Sequence, residues 1–397
     1  MKKTIVVFLI FVLIFALIPD SGTPARAEEN NKEIEKEIEE TVSGVLDGVD
    51  LGEFEAFFQE LKDEYGIETE ASVKETIKKI INSEETPDAR YFLQVALSLL
   101  VGNVGGYLAQ ASVILIICLL LSILKNMTSG FGSNTVKNIV YVACYGVVTV
   151  VTLALTTSTI GDVTKGIQRL TTFIDIAFPP LLTVMTALGS VTVSGLYQPA
   201  LAIVSSVVAN VVSYFVLPGF TLCIALTIVG HINEEIKLGK FVKTIRSAVE
   251  WMLSIVFGLF TTITTAKGIA GSGMDTLAIR SAKYALSGYV PIVGNYLKDG
   301  FDIVVSSCII VKNAVGVTAV LILILTVLSP LIKILLTMFT LRLTAALVEP
   351  FGETRVPAML CQIADCMRLL IVSLLCDAFT LFVTLMLVIL SCNGGLL

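Results

Sequence analysis

An apolar run of membrane length that carries a charge in its interior limits the folds open to this chain. The run extends from Ile303 to Ser329 and contains Lys312 and Asn313. A lysine at the centre of a lipid-facing helix costs about 2.5–3.5 kcal/mol on insertion scales, so such residues face protein or water. The run therefore predicts a membrane helix that packs against other helices and keeps its polar residues away from lipid.

The composition predicts a multi-pass membrane protein with one acidic, soluble part. Of the 397 residues, 55% are hydrophobic and 15% are charged, whereas a soluble domain has about 25% charged residues. Residues 28–90 contain twenty acidic and seven basic side chains, and all eight cysteines lie beyond them. The cysteines lie mostly in apolar runs and form no CxxC pair, so we interpret them as small buried side chains.

The first 27 residues have the pattern of a secretory signal peptide. Two lysines precede the apolar run Ile5 to Ile18, and an Ala-Arg-Ala sequence ends at Ala27. This order predicts cleavage after Ala27 and export of the chain from Glu28 onward. An uncleaved anchor helix is the alternative, but the apolar run is shorter than the roughly 20 residues that span a bilayer.

Residues 28–90 predict a small, acidic, helical domain outside the cytoplasm. Apolar side chains recur at helical spacing in three stretches, and Ser72 with Glu75 has the capping-box pattern at the start of the third. About sixty residues bury only a marginal core, so we expect the domain to dock against a partner or the membrane surface. We interpret its charged face as solvated, with an acidic binding surface as the alternative.

Residues 91–397 predict an all-α membrane domain, a polytopic bundle of transmembrane helices. Basic stretches after Gly230 and after Pro330 predict interfacial amphipathic helices along the cytoplasmic surface. We expect the mature N-terminus outside, which places the loop between Lys125 and Lys137 in the cytoplasm, as the positive-inside rule prefers. The expected spans lie near 107–124, 139–160, 173–193, 200–230, 251–270, 303–329 and 368–390.

Prolines interrupt several apolar runs and predict helix breaks or hinges. Pro179 and Pro180 remove two backbone donors, so the 173–193 segment is expected to be broken or re-entrant, with a kinked full span as the alternative. The spacing from Pro179 to Pro218 equals that from Pro291 to Pro330, which suggests two parallel repeats. The full set of break positions is Pro179, Pro180, Pro218, Gly219, Pro291 and Pro330.

Four polar residues at membrane depth are the candidate functional residues, namely Asp377, Lys312, Asn313 and Asn210. One interpretation is that they line a polar path through the bundle. The other is that they only fix the register of the helices, through a buried ion pair of Asp377 with Lys312 or through an interhelical hydrogen bond.

The sequence lacks the motifs of the common enzymatic and cofactor-binding chemistries. It contains no GxxxxGK[ST] loop and no HExxH motif, and its one histidine, His231, has no second histidine to share a metal ion. Its basic residues form no basic and aromatic patch suited to nucleic acid. We therefore predict a protein that is not an enzyme, with no catalytic residues, no cofactor, no metal site and no nucleic-acid partner.

Two stretches carry a family resemblance. One is EFEAFFQELKDEYG in the acidic domain, and the other is Leu277 to Gly316, which runs from LAIRSAKYALSGYVPIVG to VKNAVG. Together with the signal peptide, they resemble the stage III sporulation protein AE family of endospore-forming bacteria. The resemblance implies a protein made in the mother cell and inserted into the membrane around the forespore. It further implies a permease-like role in a secretion-like channel that is needed after engulfment, with ring-forming proteins, an ATPase and a forespore-side protein as partners.

Three functions are compatible with these features. The first is the permease-like component of a channel complex. The second is a self-contained secondary transporter of a small solute, in which Asp377, Lys312 and Asn210 would be binding or coupling groups. The third is an assembly scaffold without a conduit. Assembly with further copies of the chain is compatible with each.

Overall fold

The computed structural model describes residues 32–65, 72–82, 89–131, 134–188, 207, 210–232, 238–260, 262, 294–351 and 354–390. All regular structure in these ranges is helical, which confirms the predicted all-α class. The predicted signal peptide with its cleavage site after Ala27, Pro291 and parts of the predicted spans 173–193, 200–230 and 251–270 lie outside the described residues. The repeat that depends on Pro291 therefore stays a prediction.

Three helices form the acidic domain: α1 (Lys32–Asp47), α2 (Gly52–Tyr65) and α3 (Val73–Ile81). The capping box predicted for α3 is present, because Ser72 Oγ accepts from the Glu75 amide at 3.1 Å and Glu75 Oε2 accepts from the Ser72 amide at 3.1 Å. The start of α2 is capped by Asp50, whose Oδ1 accepts from the Gly52 amide at 3.0 Å. Local sequence thus sets where these short helices begin.

An exposed ion pair joins α1 to α3 within the acidic domain. Lys74 Nζ lies 2.7 Å from Asp47 Oδ1, and this contact lowers the pKa of the Asp47 carboxyl below its ordinary value. The apolar side of the domain is held by buried side chains of all three helices: Leu46, Phe54, Leu61, Val73 and Ile77.

The membrane part contains six helices in the described residues. They are α4 (Ala89–Phe131), α5 (Asn134–Ala187), α6 (Leu217–Ile232), α7 (239–260), α8 (Gly294–Val348) and α9 (Arg355–Leu390), with a 3₁₀ turn, Glu349–Phe351, between the last two. Five helical stretches among the described residues are long and apolar enough to cross a membrane. The chain is thus a multi-pass membrane protein, and the predicted spans 107–124 and 368–390 lie inside the longer helices α4 and α9.

Two of the helices are much longer than a bilayer is thick. With 54 and 55 residues, α5 and α8 are each about 80 Å long, against about 30 Å of hydrocarbon. Large apolar side chains are exposed on α5 from Ile139 to Leu153. Beyond them come Asp162, Lys165 and Arg169, all at least partly exposed. We call the exposed stretch from Ile139 to Leu153 the apolar belt of α5. The helix α5 therefore continues beyond its apolar belt on one side.

Of the two predictions for Pro179 and Pro180, a broken or re-entrant segment and a kinked full span, the described residues contradict the first. A single helix, α5, runs through both prolines to Ala187. A proline in a helix interior costs about 3 kcal/mol or more because one hydrogen bond is lost. Here the side chains on either side of the pair are buried, including Phe178, Leu181 and Met185. Their packing offsets the loss, and the helix stays continuous.

The predicted break at Pro330 is also wrong, and so is the separate surface helix expected after it. The chain continues as α8 through Pro330 to Val348. A Cβ added at Gly166 of α5 would lie 2.9 Å from Cγ of Pro330. The proline ring therefore sits against a glycine, and the two long helices approach closely at the position where a break was expected.

A local irregularity does occur beside Pro218 and Gly219. One π-helical turn, Val212–Val216, leads directly into α6. Pro218 cannot donate to the carbonyl of residue 214, and a π turn changes the hydrogen-bond pattern at that place. A Cβ added at Gly219 would lie 2.8 Å from Cγ2 of Val249, so the glycine lets α6 and α7 pack closely.

The helices α8 and α9 form an antiparallel pair at the centre of the bundle. Arg342 contacts Asp365 near their connection, and a Cβ added at Gly316 would overlap Ile389 near the last residue of α9. The helix α5 packs against both, and the acidic domain packs on α8 and α5. We call the end where α2 meets α5 the domain end and the end at the Glu349–Phe351 turn the turn end.

Candidate functional site

Asp377 is the candidate residue with the most unusual surroundings. Its side chain is 4% exposed, and its Oδ2 has no hydrogen-bond partner among the described residues. The residue lies in the middle of α9, between Ser373 and Thr380, which are also buried. A buried carboxyl oxygen without a donor is costly when the carboxyl group is ionised.

Lys312 and Asn313 lie on α8, toward its beginning. Lys312 is fully buried and has an interaction with its surroundings. Asn313 is partly buried, and its Oδ1 has no hydrogen-bond partner among the described residues. The nearby Ser307 Oγ is also buried and also has no hydrogen-bond partner among the described residues. This part of α8 thus places several polar groups inside the bundle.

The structure does not bring Asp377 and Lys312 together. The contact of Gly316 with Ile389 fixes the register of the two helices. In that register Lys312 and Asp377 are about 16 residues, or roughly 24 Å, apart along the axes. The ion pairs between described residues do not include Asp377. The ion-pair interpretation is therefore wrong, and it failed because sequence does not give helix register.

Asn210 lies apart from the other three candidates. Its side chain is exposed, just before the π turn that leads into α6. It has an interaction of its own, yet it does not line the interior near Asp377. The four candidates thus occupy three separate places: the middle of α9, the first half of α8 and the surface before α6.

A partly buried ion pair at mid-bundle was missed from the sequence. Lys333 Nζ of α8 lies 3.1 Å from Asp162 Oδ1 of α5, with side chains 25% and 24% exposed. One turn away, the hydroxyls of Thr159 and Thr337 are 2.8 Å apart. Both contacts lie between the apolar belt of α5 and Gly166. The sequence shows Asp162 and Lys333 only as single charges, each beside a long apolar run. Nothing in the sequence indicates that they pair, because they are far apart along the chain.

The acidic domain docks on α5 through aromatic rings. Phe173 is fully buried, with its ring centroid 6.0 Å from that of Phe54 and 5.5 Å from that of Phe57. Arg169, one turn earlier, forms ion pairs with Glu64 and Glu60. The expected docking of the acidic domain is thus present, but its partner is the same chain.

Tyr65 ends α2 inside this interface. It is 5% exposed and lies near Ser329 of α8 and near Arg169. Burial raises the pKa of Tyr65 above its ordinary value. Its hydroxyl has no hydrogen-bond partner among the described residues. The interface therefore reaches both long helices and ends close to Pro330.

Charged and aromatic contacts hold the turn end. Asp365 Oδ1 of α9 lies 2.7 Å from Arg342 Nη2 and 3.6 Å from Arg368 Nη2, and its backbone carbonyl accepts from Arg246 Nη1 at 3.3 Å. The guanidinium of Arg355 lies 4.8 Å from the ring centroid of Tyr141. Asp365 of α9 thus contacts side chains of both α7 and α8.

The described histidine and cysteines are not arranged as a metal centre. No group of three or more His, Cys, Asp or Glu side chains in the described ranges is placed to hold a metal ion. The seven described cysteines are free thiols; most are buried as expected, and Cys361 is exposed. His231 Nδ1 lies 2.7 Å from the carbonyl of Thr227 on its own helix.

Comparison with known proteins decides the family. The sequence matches the family model for stage III sporulation protein AE over residues 71–392. This chain belongs to the stage III sporulation protein AE family. One relative, the stage III sporulation protein AE of Bacillus subtilis (strain 168), is 26% identical over 299 residues, which are 75% of this chain and 74% of the relative. No solved structure matches the chain.

Membership of the stage III sporulation protein AE family makes this chain a multi-pass membrane protein of sporulation. The family is named after a stage of sporulation and not after a reaction. The matched residues cover α3 to α9 and leave α1 and α2 outside. The aromatic docking contact therefore joins a matched helix, α5, to an unmatched one, α2.

Proposed function

We propose that this chain is the permease-like membrane component of a secretion-like channel complex between mother cell and forespore, needed after engulfment. Two observations together support the proposal. The chain belongs to the sporulation family, and its membrane helix α5 continues beyond its apolar belt to the place where the acidic domain packs on it. Such an arrangement suits a protein that joins a membrane to proteins in the space beyond it. The component supplies no catalysis of its own.

The distribution of charge supports an orientation with the acidic domain outside the cytoplasm. The turn end carries six basic residues of α7, α8 and α9: Lys240, Lys243, Arg246, Arg342, Arg355 and Arg368. Cytoplasmic segments of membrane proteins are enriched in Lys and Arg. In our proposal the turn end therefore faces the mother-cell cytoplasm, and the domain end faces the intermembrane space around the forespore.

The partners in this proposal are other membrane proteins and ring-forming proteins of the complex, with an ATPase as the source of energy. The absence of a GxxxxGK[ST] loop from the sequence favours energy supplied from outside the chain. On the domain end, exposed acidic side chains of α1 and α2, such as Glu39, Glu40 and Glu53, remain available to a basic partner surface. These three side chains take no part in the contacts that dock α2 on α5.

An in-frame deletion in the sporulating host tests the proposal. We expect engulfment to finish and forespore gene expression, followed with a fluorescent reporter, to stop afterwards. Complementation by a Phe173→Ala variant should fail if the docked domain is needed, whereas Phe339→Ala should restore expression. Normal forespore expression and normal yields of heat-resistant spores in the deletion strain would contradict the proposal.

A topology experiment tests the orientation separately. Single cysteines at positions 165, 243, 298 and 355, in a background without native cysteines, are treated with a thiol reagent that does not cross membranes. We expect labelling from outside at Lys165 and Lys298 and protection at Lys243 and Arg355. Protection at 165 together with labelling at 243 would invert the proposed orientation.

A further inference from the structure

Among the described residues, Asp377 has no cation to pair with, although several cations lie on the helices around it. The cations at its level and one or two turns toward the turn end each contact another carboxylate: Lys333 with Asp162 at 3.1 Å, Arg169 with Glu64 and with Glu60 at 3.5 Å, and Arg368 with Asp365 at 3.6 Å. No described ion pair includes Asp377.

The side chain of Asp377 points away from α7 and toward the centre of the bundle. Phe379, two residues later, packs on Phe257 of α7 with ring centroids 5.4 Å apart. Leu374, three residues earlier, lies beside Gly166 of α5. Side chains two positions apart on a helix point about 200° away from each other, whereas side chains three positions apart point in similar directions, about 60° apart. Position 377 therefore shares the face that packs on α5 and α8.

The other titratable groups described on the neighbouring helices form no ion pair with Asp377. Lys312 of α8 lies about 16 residues away along the axes, and Lys62 of α2 lies over the ring of Phe58, 5.0 Å from its centroid. Cys376 is adjacent in the chain, and Tyr65 of α2 lies near Ser329, at the level of α8 that the register places opposite Asp377. Both are neutral in their ordinary forms. On α7, Arg246 binds the carbonyl of Asp365, twelve residues away on α9, and on α6 His231 lies at the turn end near Tyr141.

We infer that Asp377 is a proton-binding site, a carboxyl that holds a proton when the bundle is packed as in this structure. An ionised carboxylate here would be a buried charge with no counter-ion among the described residues and with one oxygen that no described donor reaches. Addition of one proton to that oxygen removes the charge and turns it into a hydroxyl donor. Hydroxyls elsewhere in this bundle donate to the carbonyl one turn back, as Thr384 does to Thr380 at 2.8 Å.

Release of the proton requires a path for water to residue 377. The face around it is closed by α5 and α8, with Leu374 against Gly166 and Gly166 against Pro330. Deprotonation is therefore coupled to a loosening of the contact between α9 and the two long helices. The inference concerns the bundle itself and does not rest on the proposed channel.

Infrared spectroscopy of the full-length protein in lipid vesicles tests the inference directly. At neutral pH we expect the wild-type protein to show the carbonyl-stretch band of a protonated carboxyl group, and Asp377→Asn to lose it. Asp365→Asn is the matched control, because Asp365 lies on the same helix but is paired with Arg342 at 2.7 Å. That variant should keep the band.

Two further measurements keep the test decisive if a variant does not fold. Wild-type protein labelled with ¹³C-aspartate should show the same band shifted by the isotope, without any substitution. Raising the pH should then replace the band by that of a carboxylate. Absence of the band from labelled wild-type protein at neutral pH would overturn the inference. A band that persists in folded Asp377→Asn would also overturn the inference. So would a band that sodium ions abolish and choline does not, because that result would assign the site to a metal cation.

Discussion

The two ends of the bundle are held together by different forces. At the domain end, Phe173 is fully buried between two rings of the acidic domain. At the turn end, the central contact is the pair Arg342–Asp365, whose side chains are 37% and 42% exposed. One end therefore depends on packing in a closed interior, and the other on charges that water still reaches.

This difference predicts different responses to mutation and to salt. Removal of buried aromatic atoms leaves a cavity and loses transfer free energy, neither of which salt screens. Ion pairs that are more than one third exposed contribute about 0.2–1 kcal/mol each and weaken with ionic strength. The domain end should accordingly be sensitive to changes in side-chain volume, and the turn end to the ionic strength of the solution.

The largest effect is expected from Phe173→Ala. The substitution removes the ring that Phe54 and Phe57 contact, and truncation of a buried phenylalanine costs about 3–5 kcal/mol. We expect the free energy of unfolding in detergent micelles to fall by this amount and α1–α3 to become sensitive to protease. Phe339→Ala on α8 is the control, because that ring is 61% exposed. Equal losses in the two variants would contradict the docking of the domain on α5.

A second comparison sets the central helix pair against the peripheral helix α4. A Cβ at Gly316 would overlap Ile389, whereas one at Gly106 meets nothing within 4 Å. Overpacking costs typically about 1–3 kcal/mol, while alanine in place of an exposed helical glycine stabilises by about 0.5–1 kcal/mol. Gly316→Ala should therefore lower the free energy of unfolding and Gly106→Ala should raise it. The reverse order, or no difference between the two variants, would show that α8 and α9 do not approach at this register.

The sequence was sufficient to predict the helices but not how they continue or pair. Capping residues and apolar periodicity are local, so the capping box at Ser72 and the all-α class were predictable. The continuity of α8 through Pro330 was not, because the compensating feature, Gly166, lies on another helix. A proline was correctly recognised as a helix breaker, and a packed neighbour outweighed it.

The candidate site shows the same limit. Burial of Lys312 and Asp377 was predictable, since both lie in long apolar runs. Their distance from each other was not, because it depends on the register of α8 against α9. Asp162 and Lys333 were missed for the same reason: each alone is an ordinary charge at the edge of an apolar stretch, and only the contact of α5 with α8 makes them a pair.

A small effect, and the one that tests the turn end, is expected from Asp365→Asn. The change removes the charge that Arg342 and Arg368 contact but keeps the backbone carbonyl that Arg246 binds. Because these pairs are partly exposed, we expect a loss of about 1 kcal/mol in the free energy of unfolding at low salt. At 1 M salt the Debye length falls to about 3 Å, so most of this loss should disappear. The loss caused by Phe173→Ala should stay constant over the same range of salt. A salt-independent loss at Asp365 would mean that packing, and not charge, holds the turn end as well.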